Sequence, residues 1–122
     1  MEFKNHIPIY LQIIEVIKKD IISGSLKPGE KLESVREMAG RLKVNPNTVQ
    51  KAYQEMERTG LAFTKRGIGT FISEDEGIKR NIMDDLSNNY VHEFVGSMRE
   101  LGFTDKEILD KLKKALSKKG GE

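Results

Sequence analysis

Residues 44–60 run VNPNTVQKAYQEMERTG. Asn45 can cap a helix, and Pro46 suits its first position, where no intrahelical N–H bond is needed. Val49, Ala52, Tyr53 and Met56 follow at three- and four-residue spacing and make one apolar face. Gly60 is the stop signal. The other face is a polar row of Asn47, Thr48, Gln50, Lys51 and Gln54. A polar outer face is ordinary for a solvated helix, so its meaning depends on what surrounds it.

Just upstream, Ser34 and Glu37 have the spacing of a capping box, and Val35, Met38, Ala39 and Leu42 supply an inner face. Only Lys43-Val44 separates this helix from the next. Two short helices so closely joined, the second longer and polar outside, predict a helix-turn-helix. Before them, Pro8 opens a helix with Tyr10, Ile13, Ile14, Ile17 and Ile21 on one face, and Gly24 stops it. Leu26-Lys27-Pro28-Gly29 is a turn, and Lys31-Leu32-Glu33 a candidate extended piece. After them comes LAFTKRGIGTFIS, residues 61–73, which has the composition of a hairpin with Lys65-Arg66-Gly67 near its tip. Three helices followed by a hairpin predict a winged helix, so the fold class is mainly α with a small β-hairpin wing.

Ser73 and Glu76 have capping-box spacing once more and open a long amphipathic helix. Ile78, Ile82, Leu86, Tyr90, Phe94 and Met98 recur every four residues, with Val91 and Val95 beside them. Gly102 ends this helix, and Thr104 with Glu107 opens a last one carrying Ile108, Leu109, Leu112 and Leu116. The tail SKKGGE is expected to fray. The expected division is a winged helix-turn-helix domain over residues 1–73 and a helical dimerisation segment over 74–122. Two helices alone cannot cover such a stripe. Ile78, Ile82, Leu86, Tyr90, Phe94, Met98, Ile108 and Leu112 are therefore the expected dimer contacts, at about 1.5–3 kcal/mol for each fully buried side chain. A stripe of this kind could instead line an effector pocket, but core or interface is its commoner use.

The 122 residues carry a net charge of only +2, which by itself points to no partner. Its distribution is more informative. Residues 1–73 hold 12 Lys/Arg against 8 Asp/Glu, a balance of +4, and residues 74–122 hold 9 against 11, a balance of −2. With no cysteine, disulfides and thiolate chemistry are excluded. The opening MEFKNHIPIYLQIIEVIKKD has no signal-peptide layout, and no stretch is apolar enough to span a membrane, so a cytoplasmic protein is expected. His6 and His92 have no neighbours at metal-ligand spacing, and Gly67-Ile68-Gly69 is too short for a dinucleotide fingerprint. No nucleophile–base–orienter set exists. Catalysis, metals and cofactors are not expected.

The polar row then acquires a use. The first residues of a recognition helix enter the major groove, where Asn47 and Gln50 can pair with adenine and Lys51 can meet phosphate or guanine. Thr48 can do either. Arg36 has the fork that matches guanine. The Asn-Pro start leaves backbone N–H groups for a phosphate, and Ser34 and Asn45 at the two helix starts join this set. Lys65, Arg66 and Gly67 at the wing tip can follow the DNA backbone or enter the minor groove. Two functions are consistent with this: a homodimeric regulator, a repressor by preference, on a near-palindromic operator, or a winged-helix module whose polar helix binds a protein.

The order of these elements also carries a resemblance. Residues 8–73 are similar to the winged-helix domain of the GntR family of bacterial transcription regulators, through G-x-L-K-P-G-x-K-L, S-x-R-E-x-A, N-T-V-x-K-A-Y-x-E-M-E and R-G-x-G-T-F. The short helical end and VNPNTVQKAY resemble the YtrA subfamily. The resemblance implies that Arg36 reads bases, that Thr48 contacts DNA and that Arg66-Gly67 forms the wing tip. The chain departs from the family at Pro46 and Gln50, where arginine is frequent, and at Glu33, where proline is frequent. Transporter genes are the targets that the subfamily resemblance implies, and an effector is open.

Overall fold

The structure, a computed structural model, describes residues 2–118. By internal contacts it divides into two units, one up to Met83 and one from Asp84 onward. That boundary falls inside a helix, beyond the expected division at residue 73.

The first unit opens with α1, Ile9–Ser23. Pro8 is its cap, so the helix starts one residue later than expected, and Gly24 closes it in the left-handed conformation (φ 87°) that L side chains disfavour. Ile13, Ile14, Ile17 and Ile21 are buried as their spacing predicts, while Tyr10 is only half-buried. Gln12 was not expected inside, yet it is buried. Its amide oxygen accepts the Lys4 N–H (2.8 Å), and its NH2 donates to the carbonyls of Lys4 (2.9 Å) and Ile7 (2.8 Å). One side chain thus satisfies the backbone of the segment before α1, which is why a polar group is tolerated there.

α2, Val35–Leu42, has the predicted capping box: Ser34 Oγ accepts the Glu37 N–H (3.1 Å), and Glu37 Oε1 accepts the Ser34 N–H (3.0 Å). Lys43, at φ 57°, ends the helix and turns the chain. α3, Pro46–Arg58, buries Val49, Ala52, Tyr53 and Met56, the four residues its periodicity selects. It packs on both α1 and α2.

The hairpin is β1, Ala62–Lys65, antiparallel to β2, Gly69–Ile72, with Lys65 opposite Gly69 and Phe63 opposite Phe71. The turn is closed by the Ile68 N–H on the Lys65 carbonyl (2.9 Å), with Gly67 at φ 76°. The extended piece expected at Lys31 forms a third rung: Lys31 bridges Phe71, and Leu32 N–H donates to the Thr70 carbonyl (2.8 Å). Ala62 and Ile72 are buried, and Thr64 donates to Glu57 of α3 (2.6 Å), so this face of the wing is turned to the helices.

α4 spans Ile78–Glu100. The capping box expected from Ser73 and Glu76 is not formed. Instead Ser73 Oγ accepts the Asp75 N–H (3.2 Å) and Asp75 Oδ1 accepts the Gly77 N–H (2.8 Å), so that two successive side-chain turns lead into the helix. In the second unit, Gly102 ends α4, and Thr104 with Glu107 makes the predicted box before α5, Asp105–Ser117. Beyond Lys118 the tail expected to fray lies outside the described residues.

The apolar stripe divides. Ile78, Ile82 and Leu86 are buried within the chain, and so is Ile108, which removes these four from the expected dimer contacts. A row spaced by four drifts by about 40° around the helix axis at each step, so its two ends point to different sides of α4. Tyr90, Phe94 and Leu112 remain exposed and Met98 half-buried. No helix among the described residues is long and apolar enough to cross a membrane.

Candidate nucleic-acid interface

α3 carries its polar row on the side away from the core. Asn47, Gln50, Lys51 and Gln54 are exposed and Thr48 is half-buried. Asn45 and Pro46 begin the helix as expected, but the backbone N–H groups there are not free for a phosphate. Asn45 Oδ1 accepts the Asn47 N–H (2.8 Å), and the Asn45 carbonyl accepts that of Thr48 (2.9 Å). Asn45 is thus committed to the cap, as Ser34 Oγ is at α2. The contacts available at this end are side chains.

Lys51 does not float free. Its ammonium lies 4.3 Å from the centroid of the Tyr10 ring, a cation–π contact between α3 and the first turn of α1. Ile9, Tyr10, Asn47, Thr48 and Lys51 together line one shallow depression of about 400 Å³. The periodicity of α1 placed Tyr10 with the core. Its position at the edge of the polar row follows from how α1 crosses α3, which no local pattern encodes.

The arginines of the first unit sort by partner. Arg41 binds Glu33 (2.7 Å) and Arg58 binds Glu55 (2.6 Å), and in both pairs the carboxylate hydrogen bond raises the guanidinium pKa. Arg36 makes no hydrogen bond or ion pair among the described residues, and it is exposed. Arg66, on the wing tip, is likewise exposed and without a partner among them. An unpaired guanidinium keeps all five donors in its fork for an outside acceptor.

A hydrogen bond also joins α3 to the start of α2. The Tyr53 hydroxyl donates to the Glu33 carbonyl at 2.7 Å. Burial, with the nearby Glu33 charge second, pushes the Tyr53 phenol well above its ordinary value, so it stays protonated and donating. The residue just before the Ser34 cap is therefore tied to α3.

On the wing, Phe63 and Phe71 stack (centroids 5.6 Å apart), and the Lys65 ammonium lies 4.9 Å from the Phe71 centroid and 5.8 Å from that of Phe63. Lys65 thus rests on the outer face of the hairpin, whereas Arg66 and Gly67 occupy the turn.

In the second unit, Tyr90, Val91, Phe94 and Val95 of α4 face Ile108, Leu109 and Leu112 of α5 across an apolar groove of about 490 Å³. Arg99 and Asp105 (3.1 Å) close one side of it. No cluster of potential metal ligands exists among the described residues.

Residues 9–72 match the family described as "Bacterial regulatory proteins, gntR family". The chain is 47% identical over 112 residues to the uncharacterized HTH-type transcriptional regulator YhcF of Bacillus subtilis, covering 92% of this chain and 93% of that protein. It is 56% identical over 68 residues to the HTH-type transcriptional repressor YtrA of the same organism, covering 56% of this chain and 52% of that one. A GntR family transcriptional regulator from Listeria monocytogenes has the same fold (TM-score 0.79, 38% identity, 92% of this chain and 98% of that one). So does the DNA-binding domain of AraR solved with operator ORE1 (TM-score 0.53, 27% identity, 59% and 90%). The chain belongs to the gntR family of bacterial regulatory proteins, as a YtrA-like winged helix-turn-helix transcription regulator and not an enzyme.

Proposed function

We propose that the protein binds a near-palindromic operator as a homodimer in the cytoplasm and represses transcription there. Residues 1–73 hold the DNA, and the segment 74–122 makes the dimer through its part beyond Asp84. α3 lies in the major groove with Asn47, Thr48, Gln50 and Lys51 toward bases and phosphates, and Arg36 pairs with a guanine. Arg66 and Gly67 at the wing tip, with Lys65 behind them, follow the sugar-phosphate backbone.

The observation that carries this reading is the pairing pattern of the arginines. Arg41 and Arg58 are neutralised by carboxylates of their own unit, and Arg36, beside the polar row, is left with an open fork. The operator complex of the AraR domain, a relative in fold and sequence, supports DNA as the partner. The apolar groove supports self-association. Its exposed Tyr90, Val91, Phe94, Leu109 and Leu112 would lose water contact against a second copy, and a two-fold dimer presents two recognition helices to two half-sites.

The test is selection of duplexes from a random-sequence pool, followed by affinity against salt. Repeated half-sites about one helical turn apart, with an affinity that falls steeply as salt rises, are expected. Absence of DNA binding at low salt would overturn the reading in favour of a protein partner.

A further inference from the structure

Lys31 precedes the helix-turn-helix in the chain but belongs to the wing in space. It bridges Phe71 of β2 in antiparallel register. Paired residues in such a register share a face, and so do residues two apart along a strand. Lys31, Phe63, Phe71, Lys65 and Gly69 are therefore on one face of the wing, the face opposite Thr64 and its bond to α3.

The Lys31 side chain runs along this face directly over Gly69. A Cβ at Gly69 would lie 2.6 Å from Lys31 Cε and 3.5 Å from its ammonium nitrogen, closer than atoms pack at the first of these. Gly69 also has φ 148°, a conformation rare for L side chains. The missing side chain thus opens the track along which Lys31 reaches the base of the turn that holds Arg66 and Gly67. From the other edge, Lys65 extends over the same strand onto the Phe71 ring.

Two ammonium groups from opposite edges are brought over one strand. Lys31 is exposed, with no hydrogen bond or ion pair among the described residues. Glu37 feels its charge, but the oxygen Glu37 Oε1 is already committed to the Ser34 N–H. Two cations brought over one strand fit an anion, and on a wing beside a DNA-reading helix that anion is a backbone phosphodiester.

We propose that Lys31 is a phosphate-binding residue of the wing and that Gly69 sets its course. The proposal rests on the DNA-binding reading and adds to it a residue outside both the recognition helix and the hairpin.

The experiment uses full-length protein and a duplex that it has selected from a random-sequence pool. Lys31→Met keeps the alkyl chain over Gly69 and removes the charge. It should fold with an unchanged melting temperature and make the plot of log affinity against log salt shallower by about 0.9, the value of one phosphate contact. Lys31→Arg should restore the slope, which a purely structural role would not require. Gly69→Ala should lower the slope in the parent and add nothing to Lys31→Met. If Gly69→Ala does not fold, the two Lys31 variants decide by themselves. A steep parental slope left unchanged by Lys31→Met would overturn the Lys31 assignment alone, whereas failure to select any duplex would overturn the DNA-binding reading beneath it.

Discussion

The Lys51 ammonium sits 4.3 Å from the centroid of the Tyr10 ring, so the first turn of α1 holds a cation of the recognition helix in place. Lysine carries much rotamer freedom, and a residue parked before binding loses less of it on contact with DNA. Exposed cation–π contacts contribute about 0.5–1 kcal/mol. Tyr10→Leu should therefore weaken operator binding by about two- to fivefold, and Tyr10→Phe should keep most of the affinity because the ring face remains. In a Lys51→Met background the Tyr10→Leu effect should vanish. Equal losses in both backgrounds would show that Tyr10 acts by another route.

Arg36 is expected to read a base. Arg36→Ala should cost about 1–3 kcal/mol on the selected site and relax the preference at one base pair, measured by repeating the selection. Arg36→Lys should not restore it, because an ammonium lacks the bidentate fork. An unchanged preference profile would remove Arg36 from the reading set.

The dimer prediction follows the exposed part of the stripe. Leu86 is buried in the chain, so an aspartate there would report on folding and say little about association. Val91 and Leu109 line the groove and are 59% and 50% exposed. Val91→Asp with Leu109→Asp should leave the fold intact and give a monomer by equilibrium sedimentation. Operator affinity should fall about tenfold or more, through lost effective concentration. A double variant that still sediments as a dimer would place the interface elsewhere.

Gln12 is expected to hold the segment before α1. Gln12→Leu keeps the apolar bulk but leaves the Lys4 N–H and the Lys4 and Ile7 carbonyls without their partner. The cost should be about 1–3 kcal/mol in unfolding free energy, or else a local release seen as faster hydrogen exchange at Lys4. No change in either would mean that water replaces the amide without penalty.

Stability should fall on the acid side. The Glu37 and Glu107 carboxyls are held below their ordinary value of 4.5, first by the hydrogen bonds from the Ser34 and Thr104 backbones. A lowered folded pKa means that the unfolded chain binds more protons in this window, so stability rises with pH through it. The contribution is complete above 4.5 and is lost as pH falls through the lowered folded values. In urea unfolding between about pH 6 and pH 3, Glu37→Gln should flatten part of this slope, since glutamine caps without titrating. A slope unaltered by Glu37→Gln and by Glu107→Gln would place the titration in other groups.

The helices, their caps and the wing were legible in the residues because each rests on short-range rules. Spacing of three and four put Val49, Ala52, Tyr53 and Met56 in the core, and Ser34 with Glu37 and Thr104 with Glu107 formed the boxes that their spacing announces. Ser73 with Glu76 had the same spacing and failed, because Ser73 Oγ takes the Asp75 N–H and the Ser73 N–H is bonded to the Leu61 carbonyl of the hairpin. Motif resemblance supplied the family, which the matches to known proteins bear out. Arg36 was singled out from the chain alone, but its freedom from carboxylates is a fact of the fold, since Arg41 and Arg58 look no different in sequence.

Tertiary structure decided what depends on distant segments meeting. Tyr10 reaches Lys51, Tyr53 reaches the Glu33 carbonyl, and Lys31 crosses Gly69, each across a long stretch of chain that carries no periodic signal for the pairing. The same holds for the stripe of α4. The sequence by itself placed an apolar residue at every fourth position from Ile78 to Phe94, a row that drifts by about 40° around the axis at each step of a 3.6-residue helix. Only packing decided that the first three are covered by the chain and the last two are left to water, because a period encodes direction around an axis and burial depends on what arrives there.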